Sequence, residues 1–161
     1  MDAGTGEIVA CLLTDNGADG AGQVPALLEQ IEGEIASVTA DGAYDGQPVY
    51  RAIANHQPDP VPEVVIPPRA SAVPGTEDRE AQSQRDRHIR IIAEEGRTAW
   101  RKATGYGRRS LAESAIGRYE AVIGPKPRAR SLPAQQDEVA IAAEVLNRMI
   151  RVAKPASVRV A

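Results

Sequence analysis

The sequence predicts an α/β fold, and three observations carry that prediction. Short apolar runs alternate with amphipathic helical segments in the first half of the chain, as in parallel or mixed sheets flanked by helices. Asp41 directly follows one of those runs, and ligands usually bind at the carboxyl ends of strands in such sheets. The 161 residues include one Trp, four Tyr and no Phe, so the core must be aliphatic. We assign residues 1–154 to one domain and residues 155–161 to a loose tail.

Three apolar runs bounded by turn residues are predicted to form the strands. The first starts abruptly after the turn at Gly4 to Gly6, as though that turn were the middle of a hairpin whose first strand is missing. The last is stopped by Pro67 and Pro68, since proline cannot donate to a strand ladder. In chain order the predicted strands are residues 7–14, 35–40 and 63–66.

Five segments with helical periodicity are predicted to form helices. Pro25 suits the first turn of the first segment, and Asp137 is the expected amino-terminal cap of the last. Gly96 is expected to interrupt the third, a long polar segment with a thin apolar edge. Residues 69–77 are predicted to be a linker, and residues 125–133 a basic, proline-rich loop. Four of the predicted helices are residues 23–31, 47–56, 79–102 and 137–153, and the fourth in chain order follows the turn at residues 105–107 and ends at Gly124-Pro125.

The fourth helical segment carries the most informative polar pattern. After a turn-like Gly-Tyr-Gly, an aromatic, a guanidinium and two carboxylates recur at helical period and form one narrow stripe. These residues are Tyr106, Arg109, Glu113 and Glu120. The opposite stripe is apolar and can pack against a core. It consists of Leu111, Ala115, Tyr119 and Val122.

Charge is distributed unevenly along the chain, although the formal net charge is only -3. Nine acidic residues precede the first basic one, Arg51. Residues 79–130 instead hold thirteen basic and six acidic residues. An acidic part that can hold cations and an arginine-rich part suggest a metal-assisted site acting on a polyanion. The alternative is an ordinary solvated helix face, and charge alone favours that alternative.

The cysteine content and the absence of targeting patterns indicate the cellular compartment that we expect for the protein. Cys11 is the single cysteine, which excludes an internal disulfide and a cysteine-rich zinc site. The first residues lack the basic and apolar regions of a signal peptide, and no apolar run approaches membrane-spanning length. We therefore expect a cytoplasmic protein without membrane contact.

Three motifs together resemble bacterial insertion-sequence transposases of the DDE type, which have an RNase H-like fold. They are ADGAYDG at residues 40–46, RDRHI at residues 85–89 and YGRRSLAESAIGRYE at residues 106–120. The family signature is Tyr, two residues, Arg, three residues, Glu, six residues, Lys. Here it consists of Tyr106, Arg109, Glu113 and then Glu120. Asp-Gly-x-Tyr alone is weakly specific, but the three motifs in this order are fairly specific and cover essentially the whole chain.

The resemblance implies which residues form the site. Asp41 would be the second catalytic aspartate and Glu113 the catalytic glutamate, and both would bind Mg²⁺ or Mn²⁺. The Tyr and Arg of the signature would support the site and hold DNA. Further basic residues would contact phosphates and so position DNA rather than read its sequence. The predicted DNA-binding residues are Tyr106, Arg108, Arg109, Arg85, Arg87 and Lys102.

Two departures from the family pattern bear on activity. The family's first catalytic Asp lies on a strand that precedes the first segment of this chain, and Asp2 is a poor substitute for it. Glu120 stands where the signature has a basic residue, which should weaken contact with DNA. The expected fold is thus an RNase H-like sheet truncated at its amino terminus. Because three carboxylates are the usual minimum for two ions, we expect this chain alone to cleave DNA poorly or not at all.

Structural roles compete with these catalytic ones. Asp41 could be only a turn former in its Asp-Gly pair, and Ser110 with Glu113 matches a capping box. Arg109 and Glu113, four residues apart, could form a plain helix salt bridge. Asp45 could be only a cap for the helix that follows it.

Three further side chains are assigned structural roles. His88 has no partner His or Cys nearby in the sequence and is expected at the surface rather than on a metal. Trp100 is expected in the core rather than stacked on a base. Cys11, within an apolar predicted strand, is expected to be inert packing.

The predicted function is DNA transposition by a DDE transposase. Metal-dependent hydrolysis at the element ends would be followed by attack of the 3′ hydroxyl on target DNA. The alternative is a catalytically dead DNA-binding or partner-binding chain, which would pair with a second copy or with full-length transposase. A third hypothesis is an unstable product without a role, because missing strands would expose a sheet edge.

Overall fold

The structure is a computed structural model that describes residues 1–15, 17–75 and 80–152. The predicted tail at residues 155–161 and the end of the predicted linker, residues 76–77, lie outside the described residues.

The chain folds into two compact units. One comprises Gly17–Ser110, and the other combines Met1–Asn16 with Leu111–Ala161. The first unit contains a two-stranded parallel sheet with helices beside it, and helices dominate the described part of the second. The protein is therefore a mixed α/β protein, as the sequence predicts.

The Gly17–Ser110 unit begins with a short helix. A 3₁₀ turn at Ala21–Gln23 leads into α1, Val24–Leu28, and Pro25 lies in its first turn as predicted. The chain then tightens, because the Gln30 and Ile31 N–H groups bond to carbonyls three residues back. The helix is consequently shorter than the sequence predicts.

A strand, a helix and a second parallel strand follow. β1 spans Ser37–Thr39, α2 spans Gln47–His56 and β2 spans Glu63–Val65. In the parallel pair, Val38 lies opposite Val64. This arrangement confirms the predicted alternation, and the bounds of α2 agree with the prediction.

Val64 and Val65 of β2 are both buried. Successive side chains on a strand point to opposite sides, so these two residues pack on different faces of the sheet. Val64 and Ile66 pack into one hydrophobic cluster with the inner faces of α1 and α2, and this cluster includes the ring of Tyr50. Val65 points the other way and packs against Trp100 and Tyr106. The core is therefore not purely aliphatic as predicted, and β2 links its two clusters.

The long polar helix forms as predicted. α3 spans Glu80–Ala103 and is kinked at Gly96, whose φ of 85° and ψ of 163° are not helical. A positive φ is accessible to glycine at little cost, so this residue permits the change of direction. The kink lets the Trp100 side of α3 pack against β2.

The predicted polar stripe is not one continuous helix. Tyr106–Arg109 forms a 3₁₀ segment, and α4 begins only at Ser110 and ends at Val122. The spacing of the stripe therefore does not place all four polar residues on one face. The predicted apolar stripe is also wrong in part, because Leu111 and Val122 are exposed while Ala115 is buried.

The predicted first strand is wrong. Residues 7–14 form no strand, and helix side chains bond to the backbone of Ile8 and Leu13. Asn147 accepts the Ile8 N–H at 2.7 Å and donates to the Ile8 carbonyl at 2.9 Å. Gln136 likewise donates to the Leu13 carbonyl at 3.0 Å. Cys11 in this segment is half-buried, and burial raises the pKa of its thiol; its role as inert packing stays a prediction.

The helix that supplies these side chains is α5, Leu132–Val152. It starts five residues before the predicted cap, so Asp137 lies inside the helix and does not cap it. The Gln135 N–H bonds to the Ser131 carbonyl at 2.9 Å and closes the first turn. The earlier start is consistent with Pro133, whose missing N–H is not needed in a first turn.

Candidate functional site

Asp41 lies at the carboxyl end of β1, where the sequence predicts it. The Ala40 N–H still bonds to the Val65 carbonyl at 3.3 Å. Asp41 then turns the chain into a 3₁₀ segment, Gly42–Tyr44, and its Oδ1 accepts the Ala43 N–H at 2.9 Å. The side chain is nonetheless 42% exposed, so the turn-forming role leaves the carboxylate accessible to a ligand.

Gly42 lies where the Asp41 turn approaches the end of β2. A Cβ added to Gly42 would lie 3.2 Å from the carbonyl oxygen of Pro67. A side chain there would push the turn away from the strand ends. The close backbone approach therefore favours glycine at the second position of the Asp-Gly pair.

Arg109 brings a positive charge to Asp41. Its Nη2 lies 3.6 Å from Asp41 Oδ2, and 33% of its side chain is exposed. The 3₁₀ segment Tyr106–Arg109 packs against β1, which explains how residues far apart in the sequence meet. The structure thus brings together two of the residues that the resemblance assigns to the site.

Tyr106 anchors the segment that carries Arg109. Its buried ring lies 5.1 Å from the Trp100 ring, measured between centroids. The guanidinium carbon of Arg101 lies 5.6 Å from the centre of the same ring. Tyr106 is therefore a packing residue in this structure, and its contact with DNA stays a prediction.

His88 is buried, so its predicted position at the surface is wrong. Its Nε2 lies 2.7 Å from the Val64 carbonyl oxygen, and the Trp100 indole N–H donates to its Nδ1 at 2.9 Å. An indole nitrogen only donates, so Nδ1 must accept and Nε2 carries the proton. The predicted core position of Trp100 is confirmed, because none of its surface is exposed.

Asp45 is a buried carboxylate and not the predicted helix cap. Gly46 occupies the cap position of α2, and no side chain caps that helix. The Asp45 side chain has no exposed surface and accepts Arg85 Nε–H at 2.7 Å and Nη2–H at 3.1 Å. Arg85, a predicted DNA contact, thus holds its guanidinium in a two-pronged ion pair within the unit.

Glu113 belongs to the other unit. It is exposed in the first turn of α4, where the helix dipole favours a carboxylate. Glu120 is exposed on the same helix. The Ser110 hydroxyl donates to the Gly107 carbonyl at 2.9 Å. The capping box and the metal-binding role of Glu113 both stay predictions.

A family model for the transposase DDE domain matches residues 1–148. This chain belongs to the transposase DDE domain family. No solved structure matches the chain. The match extends over residues of both units of the transposase domain and confirms the DDE part of the resemblance. None of the described helices of the transposase domain combines the length and apolar character needed to cross a membrane.

Two residues at the Asp41 turn of the transposase domain were not predicted to act there. The sequence offers a helix cap as one role for Asp45, although Asp45 is the second Asp of the motif at the strand end. The sequence predicts a linker that begins at Arg69, yet the Arg69 guanidinium Nη2 donates to the Ala43 carbonyl at 3.0 Å. Arg69 directly follows Pro67 and Pro68, which end the second strand. Because parallel strands end at the same sheet edge, this position indicates that Arg69 lies near the Asp41 turn.

Basic side chains remain exposed on the same unit of the transposase domain as Asp41. Arg87 lies on α3, Lys102 near the end of that helix, and Arg108 on the 3₁₀ segment beside Arg109. These are the predicted DNA contacts that the fold leaves accessible to phosphate.

The described carboxylates of the transposase domain do not gather into a metal site. Asp41 offers an exposed carboxylate at a strand end. Within residues 1–15, 17–75 and 80–152, no group of three His, Cys, Asp or Glu side chains could hold a metal ion. DDE transposases generally use divalent metal, but these described residues do not complete a two-ion site.

The burial of His88 is expected to make the transposase domain less stable in mild acid. Burial, aided by the charge of Arg87, lowers the pKa of the imidazole; the Val64 carbonyl, Glu63 and Asp45 act in the opposite direction. A histidine with a lowered folded-state pKa stabilises the fold fully above its unfolded pKa, about 6.5. That contribution is lost as the pH falls from about 6.5 through the folded-state pKa.

Urea unfolding of the wild-type protein and of His88→Gln at several values between about pH 7.5 and 5 measures this effect. The wild-type midpoint should fall more steeply with acid than that of His88→Gln. His56→Gln, which replaces an exposed histidine on α2, serves as the matched control and should follow the wild-type curve. Parallel curves for His88→Gln and the wild-type protein would contradict the expectation.

Proposed function

We propose that this chain acts in DNA transposition as a DDE transposase domain of the insertion-sequence type with the Tyr-Arg-Glu signature, with an RNase H-like fold. The proposal rests on the family match over residues 1–148. The parallel strand-helix-strand unit with an exposed Asp41 at the end of β1 supports it. The proposed chemistry is hydrolysis at element ends, followed by transfer of the 3′ end to target DNA.

The proposed metal ligands are Asp41 and Glu113, and the proposed ion is Mg²⁺ or Mn²⁺. The support for Asp41 is its exposed carboxylate beside Arg109. The support for Glu113 is its position in the resemblance and its exposure in the first turn of α4. Single carboxylates hold Mg²⁺ weakly, because this ion keeps most of its water unless several ligands converge.

The proposed partner is DNA, held chiefly through phosphate. Arg87, Lys102 and Arg108 are exposed on the unit that carries Asp41. Arg109 lies 3.6 Å from Asp41, so it is placed to hold a phosphate close to that carboxylate. Tyr106 would act from beneath by fixing this segment on Trp100.

Salt dependence of DNA binding tests the proposed interface. Fluorescence anisotropy with a labelled DNA duplex would be measured at several salt concentrations. Arg87→Ala, Lys102→Ala and Arg108→Ala should each reduce the slope of log affinity against log salt by about 1, because each removes one phosphate contact. Arg151→Ala, on an exposed arginine of the other unit paired with Glu7, is the matched control and should leave the slope unchanged. If all of these variants had the same salt slope as the wild-type protein, the proposed DNA interface would be refuted.

Strand cleavage is expected to be weak in this chain. With Mg²⁺ or Mn²⁺, nicking of a supercoiled plasmid should not rise above the level of Asp41→Asn, because the described residues hold no group of three ligands. Clear nicking by the wild-type protein would overturn this expectation. If Glu113→Gln then nicked as fast as the wild-type protein, the proposed metal-binding role of Glu113 would be refuted as well.

A second candidate function is a non-catalytic transposase chain that binds DNA, a second copy or full-length transposase. The incomplete set of metal ligands in the described residues favours it. This candidate function uses the same DNA interface as the transposase function. The two are distinguished by the plasmid-nicking assay. Plasmid nicking at the Asp41→Asn level combined with salt-dependent binding is the outcome that supports it.

A further inference from the structure

The loop that follows Asp41 is closed by a buried carboxylate. Asp45 accepts three N–H groups: two from the Arg85 guanidinium at 2.7 and 3.1 Å, and the backbone N–H of Arg69 at 2.9 Å. Its side chain has no exposed surface, and that of Arg85 is only 15% exposed. Burying a carboxylate without such donors would cost folding free energy. We therefore treat the three hydrogen bonds to Asp45 as one network.

Arg69 extends the same arrangement to the Asp41 turn itself. Its Nη2 donates to the Ala43 carbonyl at 3.0 Å, and its Nε donates to the Gly42 carbonyl at 3.4 Å. These two residues directly follow Asp41. The turn is therefore held at its far end by Asp45 and along its backbone by Arg69.

The described part of the predicted linker is consequently fixed to α3. Arg85 Nη1 donates to the Val73 carbonyl at 3.2 Å, and both oxygens of Asp86 accept the Gly75 N–H at 3.0 and 3.1 Å. One guanidinium thus contacts both the loop after β1 and the segment after β2. Removing the Arg85 guanidinium would therefore release both of these segments from α3.

We propose that Arg85, through Asp45, is a positioning residue that holds the Asp41 turn, and that it is not a phosphate ligand. The inference rests on the proposed function, in which Asp41 is a metal-binding carboxylate. The chemistry favours arginine at this place, because its planar fork reaches both oxygens of Asp45 while a lysine reaches one. Of the two arginines Arg85 and Arg87 on α3, the exposed Arg87 is then the one that contacts DNA phosphate.

Amide hydrogen exchange followed by NMR tests the inference, with Arg85→Lys as the variant and Arg87→Lys as the matched control. The Arg69 amide bonds directly to Asp45, and the Gln57 amide, which closes the last turn of α2, reports local opening elsewhere in the same unit. Arg85→Lys should speed exchange at Arg69 by about 10-fold or more, with a smaller change at Gln57. Arg87→Lys should change neither amide.

Broadening of the Ala43 amide signal by Mn²⁺ supplies the functional readout. Arg85→Lys should require several-fold more Mn²⁺ for half-broadening, whereas Arg87→Lys should match the wild-type protein. Asp41→Asn should abolish the broadening and leave exchange at Arg69 unchanged. Absence of broadening in the wild-type protein would refute the proposed function of Asp41 without touching the exchange result.

Two outcomes would overturn the inference itself. One is unchanged exchange at Arg69 in Arg85→Lys, or an equal rise at Arg69 and Gln57, because then Arg85 has no specific hold on the turn. The other is a reduction of the DNA-binding salt slope in Arg85→Ala equal to that in Arg87→Ala, because this would make Arg85 a phosphate ligand.

Discussion

Replacing Trp100 with alanine is expected to lower the free energy of unfolding of the Gly17–Ser110 unit by about 3–5 kcal/mol, the usual cost of removing a buried aromatic ring. The side chain has no exposed surface and packs against Val65 and Tyr106. The change would also remove the support of the segment that carries Arg109. Urea unfolding followed by far-ultraviolet circular dichroism measures the loss.

Two companion variants separate packing from hydrogen bonding at Trp100. Trp100→Phe keeps a ring but removes the N–H that His88 Nδ1 accepts, so it should cost about 1–3 kcal/mol. Val73→Ala, at a valine with 72% of its surface exposed in the same unit, should stay within about 0.5 kcal/mol. If Trp100→Ala cost no more than Val73→Ala, the aromatic packing beneath Arg109 would be refuted.

Replacing Asp45 with alanine is expected to cost about 3 kcal/mol, because it leaves the Arg85 guanidinium without its partner in a largely buried place. The lower end of the range for buried pairs applies, since 15% of the Arg85 side chain remains exposed. The Arg69 backbone N–H loses its acceptor in the same change. The measurement is again the free energy of unfolding in urea.

A double-mutant cycle shows whether that loss belongs to the ion pair. Asp45→Ala with Arg85→Ala should cost less than the sum of the single changes, by about 1 kcal/mol or more, because neither charge is then left alone. Arg87→Ala is the control and should stay within about 0.5 kcal/mol, being exposed. Additive costs for Asp45 and Arg85 would show that the two side chains do not stabilise each other.

The parts of the fold that the sequence predicts well are those with a local cause. α2 has the predicted bounds because its apolar residues recur at helical period between a glycine and a proline. The kink of α3 at Gly96 is likewise local. Residues 7–14 have the pattern of a strand but no neighbouring strand among the described residues, and Asn147 bonds the backbone of Ile8 in this segment instead. Apolar composition alone could not distinguish these two outcomes.

The candidate site divides in the same way. Asp41 follows from its place after a strand, and Gly42 from the Asp-Gly pattern. The partners of Asp45 and His88 lie 40 and 24 residues away in Arg85 and Val64, so no local pattern shows them. The sequence predicts a surface position for His88 because no metal-binding residue lies near it, whereas Trp100 and the Val64 carbonyl bond to its ring in the core.

By itself the sequence determined the family, the strand-helix-strand order and the position of Asp41 at a strand end, because motif spacing and hydrophobic period are properties of neighbouring residues. Only the tertiary structure decided which charges are available. It buries Arg85 against Asp45, places Arg109 beside Asp41 and leaves Arg87 exposed. The physical reason is that desolvation and pairing depend on residues far along the chain. Three arginines of one basic segment therefore have three different environments.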